Sequence, residues 1–145
     1  MQNVKVLIIS FEESEMDVLE DLLKYINTEK DIVVYSECKE DIMIFEGLRI
    51  DIKKREVFRN NKLMKLTYTE FEILVLLAQN MGVVFSKEQI YDTVWKEPYY
   101  GDYNIVMSHI YNLREKIEDN PSKPIYIQTV WGVGYRFNKN LSSGL

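Results

Sequence analysis

The sequence predicts an α+β protein in which a small antiparallel sheet, three capped helices and a glycine-tipped β-hairpin follow a short βαβ appendage. Three observations carry that expectation. Alternating apolar and polar residues, with polar turns between them, run from Phe45 to Leu66. Two boxes of the form Ser/Thr-x-x-Glu/Gln, Thr67 to Glu70 and Ser86 to Gln89, each open an apolar stripe of helical period. Near the end, Trp131-Gly132-Val133-Gly134 separates two β-rich runs. With 145 residues, 46% of them apolar and 28% charged, the chain can bury a core and lies far from disordered compositions.

The appendage comes first. Val4 to Ile9 is a continuous apolar, β-branched run and reads as a buried strand. From Phe11 to Lys30, Met16, Leu19, Leu22, Leu23 and Ile26 form one stripe of a helix of about five turns. Glu12, Glu13, Glu15 and Asp17 load its start, where the helix dipole favours negative charge. Asp31 to Ser36 is a second strand. A strand, a crossover helix and a strand predict parallel pairing over residues 1–43.

Residues 44–140 form the main domain. Phe45 to Ile52 reads as one alternating strand; after polar turns, Val57 to Arg59 and Leu63 to Leu66 complete a three-stranded meander. Thr67 then caps a helix whose apolar positions are Phe71, Leu74, Leu77 and Ala78, with Gly82 as its stop. Ser86 caps a short helix with Ile90, Val94 and Trp95 inward. A third helix starts from Asp102 as N-cap, carries Val106, Ile110, Leu113 and Ile117 inward, and ends at Asn120-Pro121. Ile125 to Val130 and Tyr135 to Phe137 flank the glycine-rich tip. Asn138 onward reads as a frayed end, with 141–145 a flexible tail.

Charge divides along the same line. The net of −5 argues at first against nucleic acid, whose binders usually carry a basic surface. Residues 1–47, however, hold 12 acidic and 4 basic side chains, a net of −8, and residues 48–145 hold 11 and 14, a net of +3. The acidity therefore belongs to the appendage. The longest apolar runs, Val6 to Ile9 and Ile73 to Ala78, fall far short of the ~20 residues that cross a bilayer. No secretory signal is legible, and a cytoplasmic protein without membrane contact is expected. One cysteine, Cys38, excludes an internal disulfide, and with one histidine, His109, no Cys/His zinc site can be assembled.

No enzyme motif emerges, and neither a cofactor nor a metal site is expected. Gly132 and Gly134 lack the strand-to-helix context of a phosphate-cradling loop. His109 sits beside the apolar stripe of its helix, where a half-buried surface residue is the bland reading. Glu12 and Glu13 follow the first strand, but negative charge at a helix N-terminus explains them. The order of elements says more. Two helices joined by a short turn, the second able to enter a groove, form a helix-turn-helix, and the hairpin behind them provides a wing. The fold class is thus a winged helix-turn-helix with an N-terminal antiparallel sheet and a C-terminal β-hairpin wing, plus the βαβ appendage. With the third helix's stripe buried, Asn104, Ser108, Tyr111 and Glu115 turn outward and Arg114 and Lys116 lie on the flanks. Asn pairs bidentately with adenine, and Tyr, Ser and cations suit phosphate.

Particular stretches resemble a known family. Leu66-Thr67-Tyr68-Thr69-Glu70-Phe71-Glu72-Ile73-Leu74, Asn80 to Ile90, Val94-Trp95, Val106 to Ile110, Leu113 to Ile117 and Thr129 to Phe137 are similar to the OmpR/PhoB-type winged-helix output domain of response regulators. The resemblance implies double-stranded DNA binding, with the third helix in the major groove and the wing in the minor groove. It implies that Asn104, His109, Tyr111, Asn112 and Arg114 approach bases or phosphates, and that Thr129, Trp131, Gly132 and Tyr135 belong to the wing's contact set. It also places Lys96 to Asp102 where some relatives touch RNA polymerase.

The chain departs from that family's pattern in two places. Tyr111-Asn112 stands where two adjacent arginines are frequent, and Ser108 where a larger aliphatic is frequent, so fewer counterions should be released and binding should be weaker and less salt-sensitive than usual for the fold. At the front, the family's receiver has about five βα repeats, whereas this chain resembles only the first βαβ. The expectation is a sequence-specific transcriptional regulator not controlled by receiver phosphorylation. Residues 1–40 then serve either as a remnant or as a homodimerisation element whose open sheet edges pair with a second copy. The alternative function is a protein-interaction module, an anti-regulator or adaptor, that kept the winged helix and lost DNA affinity.

Overall fold

The computed structural model describes residue 9 and residues 13–26, 41–96 and 104–141, and the chain separates into two units, 1–38 and 39–145. In the first unit a 3-10 turn at Glu13–Glu15 leads into α1, Met16–Ile26. Asp17 in its first turn and Lys24 in its last complement the dipole. Leu19, Leu22 and Leu23 are half-buried, while Met16, Val18 and Tyr25 are exposed. The strands expected over 4–9 and 31–36, and their parallel pairing, lie outside the described residues, save for Ile9, which is exposed and not in a strand.

The second unit opens with four antiparallel strands rather than three: β1 (Ile42–Phe45), β2 (Leu48–Asp51), β3 (Glu56–Arg59) and β4 (Lys62–Met64), paired in chain order. The run from Phe45 to Ile52 is not one strand. Phe45 faces Leu48 across a two-residue turn in which Gly47 takes φ +74°, so alternation continues through the reversal and conceals it. Sheet structure accordingly begins at Ile42, ahead of residue 44. Between β3 and β4, Asn60 and Asn61 both adopt positive φ, the type I′ geometry whose twist matches a hairpin.

Three helices follow: α2 (Tyr68–Gln79), α3 (Lys87–Trp95) and α4 (Asn104–Ile117). Both capping boxes form reciprocally. Thr67 Oγ1 accepts from Glu70 N–H and the Glu70 carboxylate accepts from Thr67 N–H; Ser86 and Gln89 do the same. Each such cap contributes about 1 kcal/mol. Asp102, the expected N-cap of α4, is outside the described residues. At the other end Arg59 Nε donates to the Ile117 carbonyl at 2.9 Å, placing a cation where the dipole of α4 is negative.

The wing is β5 (Ile127–Val130) paired with β6 (Gly134–Phe137). One side of the first sheet, bearing Met43, Phe45, Leu48, Ile50 and Val57, contributes to a single core with Phe71, Leu74 and Leu77 of α2 and all four apolar positions expected of α4. Phe137 closes this core against Phe45, with ring centroids 4.8 Å apart. The chain end is not frayed at Asn138. Asn138 N–H donates to the Tyr126 carbonyl, its amide donates to the Ile125 carbonyl, and Leu141 packs on the core.

Candidate nucleic-acid interface

Burial of Val106, Ile110, Leu113 and Ile117 fixes the rotation of α4 and hence its solvent face. Asn104, Ser108, Tyr111, Asn112 and Glu115 are exposed on it, together with Ile105 and Met107. The Ser108 hydroxyl donates back to the Asn104 carbonyl at 3.0 Å, so its lone pairs rather than its proton face outward. His109 is half-buried in the seam with α3, its ring 5.5 Å from that of Trp95, which stacks at 4.7 Å on Tyr91. It joins the two helices of the helix-turn-helix and stands apart from the outward row.

The two cations expected on the flanks are engaged inside the protein. Arg114 Nε and Nη2 donate to the Ile127 carbonyl at 3.1 and 2.8 Å, and Nη2 also donates to Thr129 Oγ1 at 2.8 Å. Burial pushes the Arg114 pKa down, opposed by Tyr135 and Glu118, and guanidinium remains a cation. Lys116 Nζ lies 2.6 Å from Oε2 of the buried Glu70, tying α4 to the capping box of α2. Helical spacing placed both side chains beside the outward face; partners distant in sequence turned them inward.

The wing divides into a tip and a base. At the tip Val133 N–H donates to the Val130 carbonyl, and Gly132 supplies φ +76°. Trp131 is 90% exposed there, and Val133 is exposed beside it. At the base Tyr135 is buried, and it exchanges two backbone bonds with Phe85, of 2.8 and 2.9 Å, in the turn ahead of α3. A Cβ on Gly134 would run into the Phe85 carbonyl, so this approach requires glycine. Burial raises the Tyr135 phenol pKa, against the lowering effect of Arg114. Tyr135 is therefore a support of the wing, and Thr129 an acceptor for Arg114. Trp131 and Gly132 occupy the tip.

One contributor carries no motif in the sequence. Glu118, just past α4, is buried, and its carboxylate accepts the N–H groups of Ile125, Tyr126 and Ile127 at 2.8 to 2.9 Å. Its only signal is a spacing of four from Arg114, which ordinarily denotes a surface ion pair. Among the described residues no group of three or more His, Cys, Asp or Glu side chains could hold a metal ion, and no helix is long and apolar enough to cross a membrane. Of the expected polymerase-contact loop only Lys96, a left-handed cap of α3, is described.

A four-stranded sheet, a helix-turn-helix with its second helix exposed along one polar face, and a hairpin wing docked behind it define a winged-helix regulator. Residues 60–137, just over half the chain, match the family described as transcriptional regulatory protein, C terminal, and the chain belongs to that family, the OmpR/PhoB-type DNA-binding domain. It is a family of transcription regulators and not an enzyme class. The chain is 50% identical over 92 residues to YcbL, an uncharacterized transcriptional regulatory protein of Bacillus subtilis, covering 63% of this chain and 41% of that protein. It is 43% identical over 94 residues to the regulatory protein VanR of Enterococcus faecium, covering 64% and 41%. The chain thus spans about two-fifths of the length of these curated relatives. Among solved structures it is similar to the response regulator DrrB of Thermotoga maritima, an OmpR/PhoB homolog (TM-score 0.65, 34% identity, 84% of this chain and 52% of that). It is also similar to the Klebsiella pneumoniae RstA DNA-binding domain in complex with the RstA box (TM-score 0.63, 28% identity, 68% and 98%).

Proposed function

We propose that this protein is a sequence-specific double-stranded-DNA-binding transcriptional regulator, with α4 in the major groove and the wing tip in the minor groove. The observation that carries the reading is the outward row of α4, Asn104, Ser108, Tyr111 and Asn112, exposed and polar above a fully buried stripe. Asn112 and Asn104 suit base edges; Tyr111 and Ser108 suit phosphate. Arg114 and Lys116 are spent on internal partners and contribute little to phosphate neutralisation, so the logarithmic salt slope of binding is shallow for this fold. Fluorescence anisotropy of the full chain on duplexes selected from a random library tests this. Sequence-dependent binding supports the reading, and no binding at low salt sinks it.

A specific observation favours one second reading. Ile105 and Met107 are exposed on the same face as Glu115, a mixture that suits a protein partner. Absence of DNA binding together with co-purification of a defined protein would select that interaction module instead.

Regulation by aspartyl phosphate is not part of the proposal. The interval between Glu12-Glu13 and β1 has room for α1 and one strand, not for the further βα repeats of a receiver. A stable acyl phosphate after incubation with acetyl phosphate would overturn this. For residues 1–40 we propose homodimerisation, supported by the apolar stripe of α1. Sedimentation should show a dimer that Leu22→Asp dissociates, and a monomeric full chain contradicts it. For Lys96 to Asp102 we propose polymerase contact on family resemblance, tested by crosslinking to RNA polymerase.

A further inference from the structure

Two side chains four residues apart, Arg114 in the last turn of α4 and Glu118 just past its end, grip a single segment leading into β5. Glu118 accepts the backbone N–H groups of residues 125, 126 and 127, and Arg114 donates to the Ile127 carbonyl and the Thr129 hydroxyl. Between them they satisfy donors and acceptors along the start of β5, whose strand partner among the described residues is β6. Both groups are withdrawn from solvent, Glu118 to 7% exposure, where charge-assisted hydrogen bonds are strongest. On the far side, Phe85 and the Arg114 guanidinium over the Tyr135 ring at 5.5 Å hold β6. The wing therefore takes its angle from the helix that carries the outward row.

We propose that Arg114 and Glu118 are positioning residues that set the wing relative to α4, so that DNA affinity depends on them without either one touching DNA. The inference rests on the DNA-binding reading for its functional half and on the clamp alone for its structural half. A contact role and a positioning role predict opposite signs at Glu118. Removing a negative charge near the duplex would strengthen binding by simple electrostatics, whereas loosening the wing weakens it. At Arg114, a phosphate contact tolerates lysine, which keeps the charge. A clamp does not, because lysine cannot serve the Ile127 carbonyl and the Thr129 hydroxyl in the same fork geometry.

The test uses the full chain carrying Trp95→Phe, which leaves Trp131 at the wing tip as the sole tryptophan. Time-resolved anisotropy of Trp131 without DNA reports how tightly the wing follows the body, whether or not the protein binds DNA. Glu118→Gln and Arg114→Lys are each expected to add a fast component to that decay and to weaken duplex binding about tenfold, the scale of one charge-assisted hydrogen bond. Unchanged anisotropy and unchanged affinity of the folded protein, with lower thermal stability alone, would reduce the pair to ordinary structural residues and overturn the proposal. Tighter binding by Glu118→Gln would overturn it as well. If Glu118→Gln does not fold, Arg114→Lys carries the same test. A loosened wing with no DNA binding in the parent protein would refute the DNA reading and leave the clamp standing.

Discussion

The ammonium of Lys116 lies 2.6 Å from a carboxylate oxygen of Glu70, the residue that also completes the capping box of α2. One buried carboxylate thus starts one helix and anchors another. Replacing Lys116 with Met leaves Glu70 with the Thr67 N–H alone, and the expected loss is about 1–2 kcal/mol, discounted because Lys116 is about one-third exposed. Chemical denaturation measures it. Duplex affinity and its salt dependence should stay at parental values, since Lys116 is not offered to phosphate.

The two wing glycines should separate by cost. Gly134→Ala drives a Cβ into the Phe85 carbonyl and breaks the paired bonds that dock the wing, for an expected loss of about 2–3 kcal/mol. Gly132→Ala meets no atom within 4 Å and bears only the strain of φ +76°, about 1 kcal/mol. Unfolding midpoints of the two variants check the order.

Alkaline stability follows from two buried phenols. Burial raises the pKa of Tyr126, with Arg59 opposing, and that of Tyr135, with Arg114 opposing. A raised folded-state value means the fold keeps its proton where the unfolded chain loses it. Stability is then complete below the ordinary tyrosine pKa of about 10 and falls as pH rises through it toward the folded values. Thermal midpoints from about pH 8 to about pH 11 should be flat and then drop, and Tyr135→Phe should shallow the drop. Tyr126→Phe adds a penalty at every pH, because it removes the hydrogen bond that the Tyr126 hydroxyl donates to the Glu46 carbonyl.

Trp131 contributes nothing to the fold and belongs to the proposed interface. Trp131→Ala at a 90% exposed tip should change stability by less than about 0.5 kcal/mol while weakening duplex binding. A parental affinity would remove the wing tip from the interface.

Local rules made much of this molecule legible. Thr67-x-x-Glu70 and Ser86-x-x-Gln89 cap helices because three-residue reach is a property of the backbone alone, and the stripe of α4 is buried because its period matches 3.6. The turn at Gly47 was hidden because a two-residue reversal preserves the inward phase of Phe45 and Leu48. The roles of Arg114, Lys116 and Glu118 were hidden for another reason. Helical geometry gives a side chain's direction, but a long charged side chain goes to whichever partner folding brings within reach. Here those partners are the strand 127–129, Glu70 and the amides of 125–127.

The central claim is that the outward row of α4 reads bases. It is tested most directly by titrating the full chain and Asn112→Ala against a selected duplex and its single-base-pair variants. Asn112→Ala should lose discrimination at one position, about 1–3 kcal/mol, and keep it elsewhere. Full discrimination at every position by Asn112→Ala, or no duplex binding by the parent chain at low salt, would contradict it.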